Sequence, residues 1–570
     1  MRYLALATDY DGTLAADGRV SSSTIQALET LRKTGRRLLL VTGRELPDLK
    51  RVFDRLDLFD LVVAENGALL FNPHTQSETV LSEPPSEEFT KCLAKRGVQF
   101  SVGRNIVATS TEYADQVLRA IQETGLELQV IFNKGAAMVL PTGVNKATGL
   151  LKALEELRLA AHNVVAVGDA ENDHALLSTC EFGVAVANAV PLLKQRADWV
   201  TEGARGTGVE QLIQKIVEDD LCSFDESLTR NRIRIGEDIN EGEEIYVPQS
   251  RGSLLVTGPS GSGKSTITSA LIEQMTEQNY QFCLIDPEGD YDGLPGAIMI
   301  GTPSDAPNLV EIEKALEIPS RNVVINLLAI PLADRPLFFA GLLPRLLELR
   351  AHSGRPHWIV VDEAHHLLPS SWVPAPAMLP QQIGGMLLIT VHPTFVAPAA
   401  LQSIDTLIMI GKGVRETLSG FAEKLGITPP VDVPVDDLSP DQAAVWLRSA
   451  PDHVRLVKAA RSSFDRRRHT RKYAEGDLPE DRSFYFRGPN GKLNLRAQNL
   501  NIFIQIATGV DDDTWMFHLD RNEYSNWIRT IIKDDELADE IHQIEQSGDA
   551  PAESRERVKE AVERRYTTAA

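Results

Sequence analysis

Nowhere in this chain do about 18 apolar residues run together without charge, so the sequence offers no membrane-spanning helix. The N-terminal run Met1–Ala7 is apolar, but Asp9 and Asp11 interrupt it too early for a secretory signal. Cysteine is scarce: Cys92, Cys180, Cys222 and Cys283 match neither metal-ligand spacing nor a disulfide framework. They read as reduced core residues of a cytoplasmic protein. Positive charge is short as well, with 58 Lys and Arg against 80 Asp and Glu and a formal net charge of −22. That argues against a surface coated uniformly with nucleic acid, whose phosphates need cations. A local basic channel stays open, because partners feel the local field.

What the chain does have is length and apolar content. Its 570 residues exceed one ordinary core and suggest about three or four domains, and 43% hydrophobic residues is the share of a globular protein.

The most specific stretch is Gly258-Pro259-Ser260-Gly261-Ser262-Gly263-Lys264-Ser265. An apolar strand pattern, Ser253–Thr257, precedes it and a helical pattern from Thr266 follows. A glycine-rich turn can meet such spacing by chance, but strand, loop and helix together define a P-loop. Its glycines let backbone N–H groups turn inward around phosphate, and the helix adds its positive N-terminal end. The expected nucleotide contacts are Gly258, Ser260, Gly261, Ser262, Gly263, Lys264, Ser265 and Thr266. Lys264 reaches the β- and γ-phosphates, and the Ser265 hydroxyl ligates Mg²⁺. ATP and Mg²⁺ are the expected cofactors.

Before it, a strand pattern Tyr3–Thr8 ends in Asp9-Tyr10-Asp11-Gly12-Thr13. Two carboxylates two residues apart share one side of a strand end and suit Mg²⁺ and acid–base work, although DxDGT alone fits a surface turn. Three more pieces follow: Arg37–Val41 ending in Thr42-Gly43-Arg44, Lys146 ahead of a helix from Leu150 to Leu157, and Val164–Val167 ending in Gly168-Asp169-Ala170-Glu171-Asn172-Asp173. Strand C-termini are where an open α/β sheet builds its site.

These four stretches, with Asn66-Gly67-Ala68 and Gly183–Ala189, resemble the haloacid dehalogenase (HAD) phosphatases, in particular the Cof-type, class IIB capped branch. The resemblance covers about residues 1–215 and implies a Rossmann-like domain. It implies Asp9 as nucleophile forming an aspartyl-phosphate, Asp11 as general acid and base, Thr42 on the phosphoryl oxygens, and Lys146 offsetting charge. Asp169 would hold Mg²⁺ with Asp9 and the Asp11 carbonyl, supported by Asn172 and Asp173. Residues 80–142, with helical patterns at 86–96 and 111–124 and strand-like runs at 98–102, 106–109 and 127–132, read as a small α+β cap. A short cap favours a small phosphorylated substrate. A degenerate domain kept as scaffold is the plainer alternative.

Charged, unpatterned residues near 216–232 mark a boundary, so the first domain spans 1–218 and the next 233–460. Beyond the P-loop, Gln281–Ile285 is a buried strand ending in Asp286-Pro287-Glu288-Gly289-Asp290-Tyr291. The strand His357–Val361 ends in Asp362-Glu363, a Walker B pattern in which Asp362 holds Mg²⁺ and Glu363 activates water. Met386–Val391 ends at His392, a γ-phosphate sensor position. These pieces resemble the HerA/FtsK ATPases, including VirB4-like members. That resemblance implies a RecA/HerA-like P-loop fold and a homo-oligomeric, hexameric ring with an arginine finger, for which Arg415 is the candidate and Arg350 and Arg355 are rivals. His365 and His366 read as packing or coupling residues, since no third ligand is spaced for zinc.

At 461–472 the chain is most basic: Arg461, Arg466, Arg467, Arg468, His469, Arg471 and Lys472. A phosphate-tracking segment and a solvated linker fit equally. Residues 475–545 read as a small, mainly helical domain that includes an amphipathic helix from Leu493 to Ile506 and aromatics at core spacing. Residues 546–570 read as an exposed tail.

The expected whole is a cytoplasmic, bifunctional, Mg²⁺-dependent phosphatase and ring ATPase. Its partners are ATP, a phosphorylated small molecule or nucleic-acid substrate, and DNA, with no membrane. The alternatives are an ATP-gated small-metabolite phosphatase assembly without DNA, and a polynucleotide kinase-phosphatase. Against the last, Asp362-Glu363 is arranged to activate water rather than an acceptor hydroxyl.

Overall fold

A computed structural model describes residues 1–566 other than 85, 134, 249–251, 260, 372–383, 461, 463–472, 475–477, 479, 481 and 533. Ser260 and the seven basic residues from Arg461 to Lys472 therefore lie outside the described residues. The chain divides into two compact units, residues 1–264 with 274–459, and residues 265–273 with 460–570. No helix among the described residues is long and apolar enough to cross a membrane.

The first unit holds two large sheets and one small one. In the N-terminal one the strand order is Trp199–Val200, Phe182–Ala185, Val164–Gly168, Ala5–Thr8, Arg37–Val41, Leu61–Ala64, Leu69–Asn72 and Ser77–Val80. The first six strands run parallel and the last two turn back antiparallel. Runs such as Leu38–Val41 and Val164–Val167 are fully buried, as strands covered on both faces must be. Between Val80 and Lys146 a small antiparallel sheet of Phe100–Val102, Val107–Ser110, Ala136–Pro141 and Leu128–Asn133 carries the helices Glu87–Lys95 and Ala114–Thr124. Its own apolar cluster includes Phe89, Leu93, Val107 and Val117.

Charge patterning misplaces the domain boundary. Residues 216–232 pack onto the first domain, with Leu221 and Leu228 each 1% exposed. Phe224 lies against Phe182 and Trp199, at centroid distances of 5.6 and 5.0 Å. The charges that suggested a linker are paired, as in Arg230 Nε to Asp198 Oδ1 at 3.2 Å.

The second sheet is built around the strand Leu254–Thr257. It lies between Thr406–Met409 and Met386–Thr390, followed by Trp358–Val361, Phe282–Asp286, Asn322–Asn326 and Ala297–Ile300, all parallel. On the other side Gln442–Leu447 and Val454–Ala459 add antiparallel, then the hairpin Arg234–Asp238 and Glu244–Tyr246.

The two sheets meet at the starts of their strands. Asn163, just before Val164–Gly168, accepts the Leu4 N–H on its carbonyl at 2.7 Å, and its Oδ1 lies 3.3 Å from His357 Nε2. His357 precedes Trp358–Val361, and its Nδ1 accepts the Gln281 N–H at 2.9 Å. The His162 ring stacks on Tyr280 at 3.9 Å. Both sets of strand C-termini therefore lie at the far ends from this junction, each about 15 Å away at ~3.3 Å per residue.

The second unit differs from the sequence expectation in two places. Leu493–Ile506 is not one helix: Leu495–Ala497 pairs antiparallel with Phe484–Phe486, and the helix starts at Leu500, where the Asn499 side chain accepts the Ile502 N–H at 2.8 Å. A strong N-cap ended the apolar periodicity that the run of Leu and Ile suggested. Nor is 546–570 an exposed tail. Pro551–Tyr566 is a helix that buries Val558, Ala561 and Val562, and its Ser554 Oγ accepts the Trp515 indole N–H at 3.0 Å. The Glu- and Arg-rich composition covers one face only. Trp515, Tyr524, His518 and Trp527 are core residues, as their spacing predicts.

Candidate functional site

In the first domain the strand Ala5–Thr8 delivers Asp9 into a buried position, 4% exposed. The loop after Val164–Gly168 supplies Asp169 and Asp173, and carboxylate oxygens of Asp9, Asp169 and Asp173 lie within 4.8 Å of one another. Lys146 begins the helix Lys146–Leu157 behind an Asn145 capping box. Its Nζ donates to Asp9 Oδ1 and to Asp173 Oδ1, both at 2.6 Å. The other Asp173 oxygen accepts the Asp169 and Ala170 N–H groups at 2.9 Å each. Asp173 thus holds the loop and the lysine. Asp169 accepts from Asn188 Nδ2 at 3.1 Å and faces Thr13 Oγ1 at 3.4 Å.

Three buried carboxylates against one ammonium leave excess negative charge, which suits a hard divalent cation between Asp9 and Asp169. Burial, opposed by Lys146 and reinforced by Asp173 and Asp169, pushes the Asp9 carboxyl up to about 7. Burial alone would lower the Lys146 ammonium, yet Asp173 and Asp9 hold it above its ordinary range. A cation would reverse the push on Asp9.

The remaining expected residues surround this centre. Thr42 is fully buried, and its hydroxyl oxygen accepts the Arg44 N–H at 3.1 Å. Asn172 donates to Asn66 Oδ1 at 3.0 Å, which ties it to the loop beside Thr42. Asp11 stands apart, with both oxygens gripped by Arg44 at 2.6 and 2.7 Å. The sequence reading missed that grip, although Arg44 lies in the quoted Thr-Gly-Arg turn. It also missed Glu65, whose carboxylate accepts the Arg104 and Asn105 N–H groups at 2.9 and 2.8 Å and fastens the inserted layer to the sheet. Met138 of that layer covers Gly43: a Cβ there would sit 3.2 Å from the Met138 methyl.

In the second sheet the P-loop follows Leu254–Thr257, and the helix Lys264–Glu277 follows it. Gly261 and Gly263 have φ of 77° and 101°, which side chains disfavour. A Cβ on Gly258 would lie 2.2 Å from the Ile410 carbonyl oxygen. Lys264 Nζ donates to the Gly258 and Pro259 carbonyls at 2.8 and 3.0 Å. The Ser262 hydroxyl oxygen is buried without a hydrogen bond among the described residues. Ser265 and Thr266 belong to the other compact unit, and their assignment rests on the sequence.

Asp362 and Glu363 end the strand Trp358–Val361, one strand removed from the P-loop strand. Burial, with Glu363 and Asp286 nearby, pushes the Asp362 carboxyl up to about 7. Burial lowers the Lys264 ammonium, and Glu363 and Asp362 oppose it. Asp286 accepts the Glu288, Asp290 and Tyr291 N–H groups at 3.2, 3.0 and 2.8 Å, which shapes the loop after its strand. His392 caps the next turn, with Nδ1 2.7 Å from Thr394 Oγ1. Arg415 is exposed and donates to the Val433 carbonyl at 2.9 Å. Arg355 is fully buried and donates to Gln281, to the Leu316 carbonyl and, at 2.6 Å, to the Arg158 carbonyl. Arg350 donates to the Pro356 carbonyl at 2.7 Å. Those two arginines are structural.

Comparison with known proteins finds two families along the chain. The haloacid dehalogenase-like hydrolase family matches residues 6–125 and 98–213, and an AAA domain family matches residues 247–381. Phosphoglycolate phosphatase 2 of Saccharolobus solfataricus is 34% identical over 225 residues, 38% of this chain and 92% of that protein. The phosphoglycolate phosphatase of Methanothermobacter thermautotrophicus is 33% identical over 223 residues, 37% of this chain and 98% of that protein. A solved haloacid dehalogenase-like hydrolase from Bacteroides thetaiotaomicron aligns with a TM-score of 0.33 at 20% identity, over 38% of this chain and 99% of its own. Through its N-terminal domain the chain belongs to the haloacid dehalogenase-like hydrolases, and it joins this phosphatase domain to an AAA-type P-loop domain.

Proposed function

We propose that the N-terminal domain hydrolyses a small, acidic phosphomonoester of the phosphoglycolate type, and that the second domain hydrolyses ATP. The observation that carries the first half is Lys146 set 2.6 Å from both Asp9 and Asp173, with Asp169 alongside. Asp9 attacks phosphorus and forms an aspartyl-phosphate while the phosphorus–oxygen bond to the leaving group breaks. Lys146 offsets the charge that gathers on Asp9 and the phosphoryl group, and Thr42 donates to a phosphoryl oxygen. Asp11 protonates the leaving oxygen and later takes a proton from water; to reach either, its carboxylate must leave Arg44. Asp9, Asp169 and the Asp11 carbonyl would hold Mg²⁺, which supplies positive charge to the phosphoryl oxygens. The layer at 80–142, with Met138 over Gly43, limits the leaving group to a small one.

In the ATPase half Lys264 leaves the Gly258 and Pro259 carbonyls for the phosphates, Asp362 would hold Mg²⁺, and Glu363 orients and deprotonates water. Asp362-Glu363 one strand from the P-loop, with His392 between them, supports a HerA/FtsK kind of ATPase. In that reading the subunits assemble as a ring, with Arg415 as donor to a neighbour and nucleic acid as cargo.

The test is release of phosphate from phosphoglycolate and from ATP, with Mg²⁺ or EDTA, and with and without double-stranded DNA. Asp9→Asn should abolish the first activity and spare the second, and Lys264→Ala should do the reverse. Phosphoglycolate turnover that survives Asp9→Asn sinks the phosphatase reading. ATP turnover indifferent to DNA turns the ATPase reading toward a small-metabolite assembly.

A further inference from the structure

Glu363 sits in an unusual place for its role. Its backbone is left-handed, φ 41° and ψ 51°, at the start of the short helix Ala364–Leu367, and its N–H donates to Asp362 Oδ1 at 2.9 Å. That conformation costs a non-glycine residue about 1 kcal/mol or more and has to be held by its surroundings. Glu363 Oε2 is buried and makes no hydrogen bond among the described residues. His365 Nδ1 lies 3.4 Å from it.

His365 Nδ1 also lies 3.2 Å from Thr390 Oγ1. Thr390 is fully buried, ends the strand next to the P-loop strand, and pairs in register with Thr257, the residue before Gly258. The Thr390 hydroxyl has the His392 carbonyl at 3.4 Å as an acceptor. The charge on Glu363 favours one tautomer. If Nδ1 were bare, its lone pair would face the Glu363 carboxylate. With the proton on Nδ1, one N–H faces both the Thr390 oxygen and Glu363 Oε2, and the threonine proton goes to the His392 carbonyl. The ring itself is steadied by His366, 4.1 Å away between centroids.

We propose that His365 is a positioning residue for Glu363. Held by Thr390 at the edge of the nucleotide loop, its Nδ1–H fixes Oε2 and leaves the other carboxylate oxygen to take the proton of the attacking water. Neither P-loop nor Walker B spacing contains this residue, and the inference rests on the ATP-hydrolysis reading above.

The experiment measures steady-state ATP turnover and the dissociation constant of a fluorescent ATP analogue in the full-length chain. The variants are His365→Ala, His365→Asn, Thr390→Val, Glu363→Gln and the double variant His365→Ala/Glu363→Gln. The expected result for His365→Ala is a fall in kcat of about tenfold, less than the roughly 10²-fold or more of losing a general base itself, with nucleotide affinity unchanged. Asparagine, which can present an N–H near the Nδ1 position, should recover much of the loss, and Thr390→Val should fall between. The double variant should be no slower than Glu363→Gln alone, because His365 acts through that carboxylate. The proposal is overturned if His365→Ala leaves kcat unchanged, if affinity falls in step with kcat, if asparagine does no better than alanine, or if the double variant loses activity additively. Wild-type turnover that Glu363→Gln does not reduce sinks the ATPase reading instead.

Discussion

At the scale of single residues the phosphatase centre is a charge-balance problem. Lys146 is 1% exposed and lies between two carboxylates, so its removal leaves Asp9 and Asp173 facing each other without compensation. Lys146→Met should lower phosphatase kcat by about 10²-fold or more. It should also lower stability by about 3–5 kcal/mol, the usual effect of removing one partner of a buried pair. Denaturant unfolding checks the second number, and added Mg²⁺ should recover part of it by sitting between Asp9 and Asp169. Residue types here were legible in the sequence, because Asp, Thr and Asp fall at strand ends and Lys at a helix start, in fixed order. Their partners were not. Arg44 on Asp11 and Asn66 on Asn172 join residues 33 and 106 positions apart, and no local pattern reports such distances.

At the scale of elements, close backbone approach decides what a glycine does. Gly258 has no room for a Cβ because the Ile410 carbonyl, from the neighbouring strand's end, occupies it at 2.2 Å. Gly258→Ala should therefore abolish binding of a fluorescent ATP analogue, while phosphoglycolate turnover in the same preparation stays within about twofold. The last helix makes a second case. Removing residues 551–570 exposes Trp515, which is fully buried and donates to Ser554. Tryptophan emission should shift to the red and the C-terminal unit should melt earlier; unchanged emission would show that the helix is dispensable. Charged composition hid this helix from the sequence reading, because its apolar positions are few and small. The apolar run 493–506 misled in the other direction. Leu493 and the strand's Leu495 and Ala497 run straight on into the helix's own apolar residues, and only the Asn499 cap separates the two elements.

At the scale of the whole chain, the junction joins the two sheets back to back through groups that neither set of site motifs includes. Glu181 is buried there among His162, Arg2, Asn231 and Tyr280. Burial alone would raise its carboxyl, but His162, Arg2 and Asn231 draw it down to about 2. A carboxyl depressed in the folded state stabilises above its unfolded value, 4.5, and loses that contribution as the pH falls toward 2. Unfolding of the wild type should therefore steepen below about pH 4.5, and Glu181→Gln should flatten the dependence in that window while lowering stability at neutral pH. Identical acid profiles for the two proteins would show that Glu181 is not the responsible group. A further consequence is that both candidate centres lie at strand ends away from this junction, which Asn163–His357, His162–Tyr280 and Arg158–Glu317 cross together.

By itself the sequence determined which reactions are on offer: the order of short, local patterns specifies a phosphatase centre and a nucleotide loop, because each depends on a few residues at a strand end. Tertiary structure alone decided how those residues are held. It set Lys146 between two carboxylates, closed Arg44 on Asp11, and placed His365 between Thr390 and Glu363. It also turned a charged linker and a charged tail into packed surfaces. The physical reason is common to all of these. Hydrogen bonds and ion pairs act over about 3 Å in space, whatever the separation along the chain, and a pattern read along the chain records only neighbours.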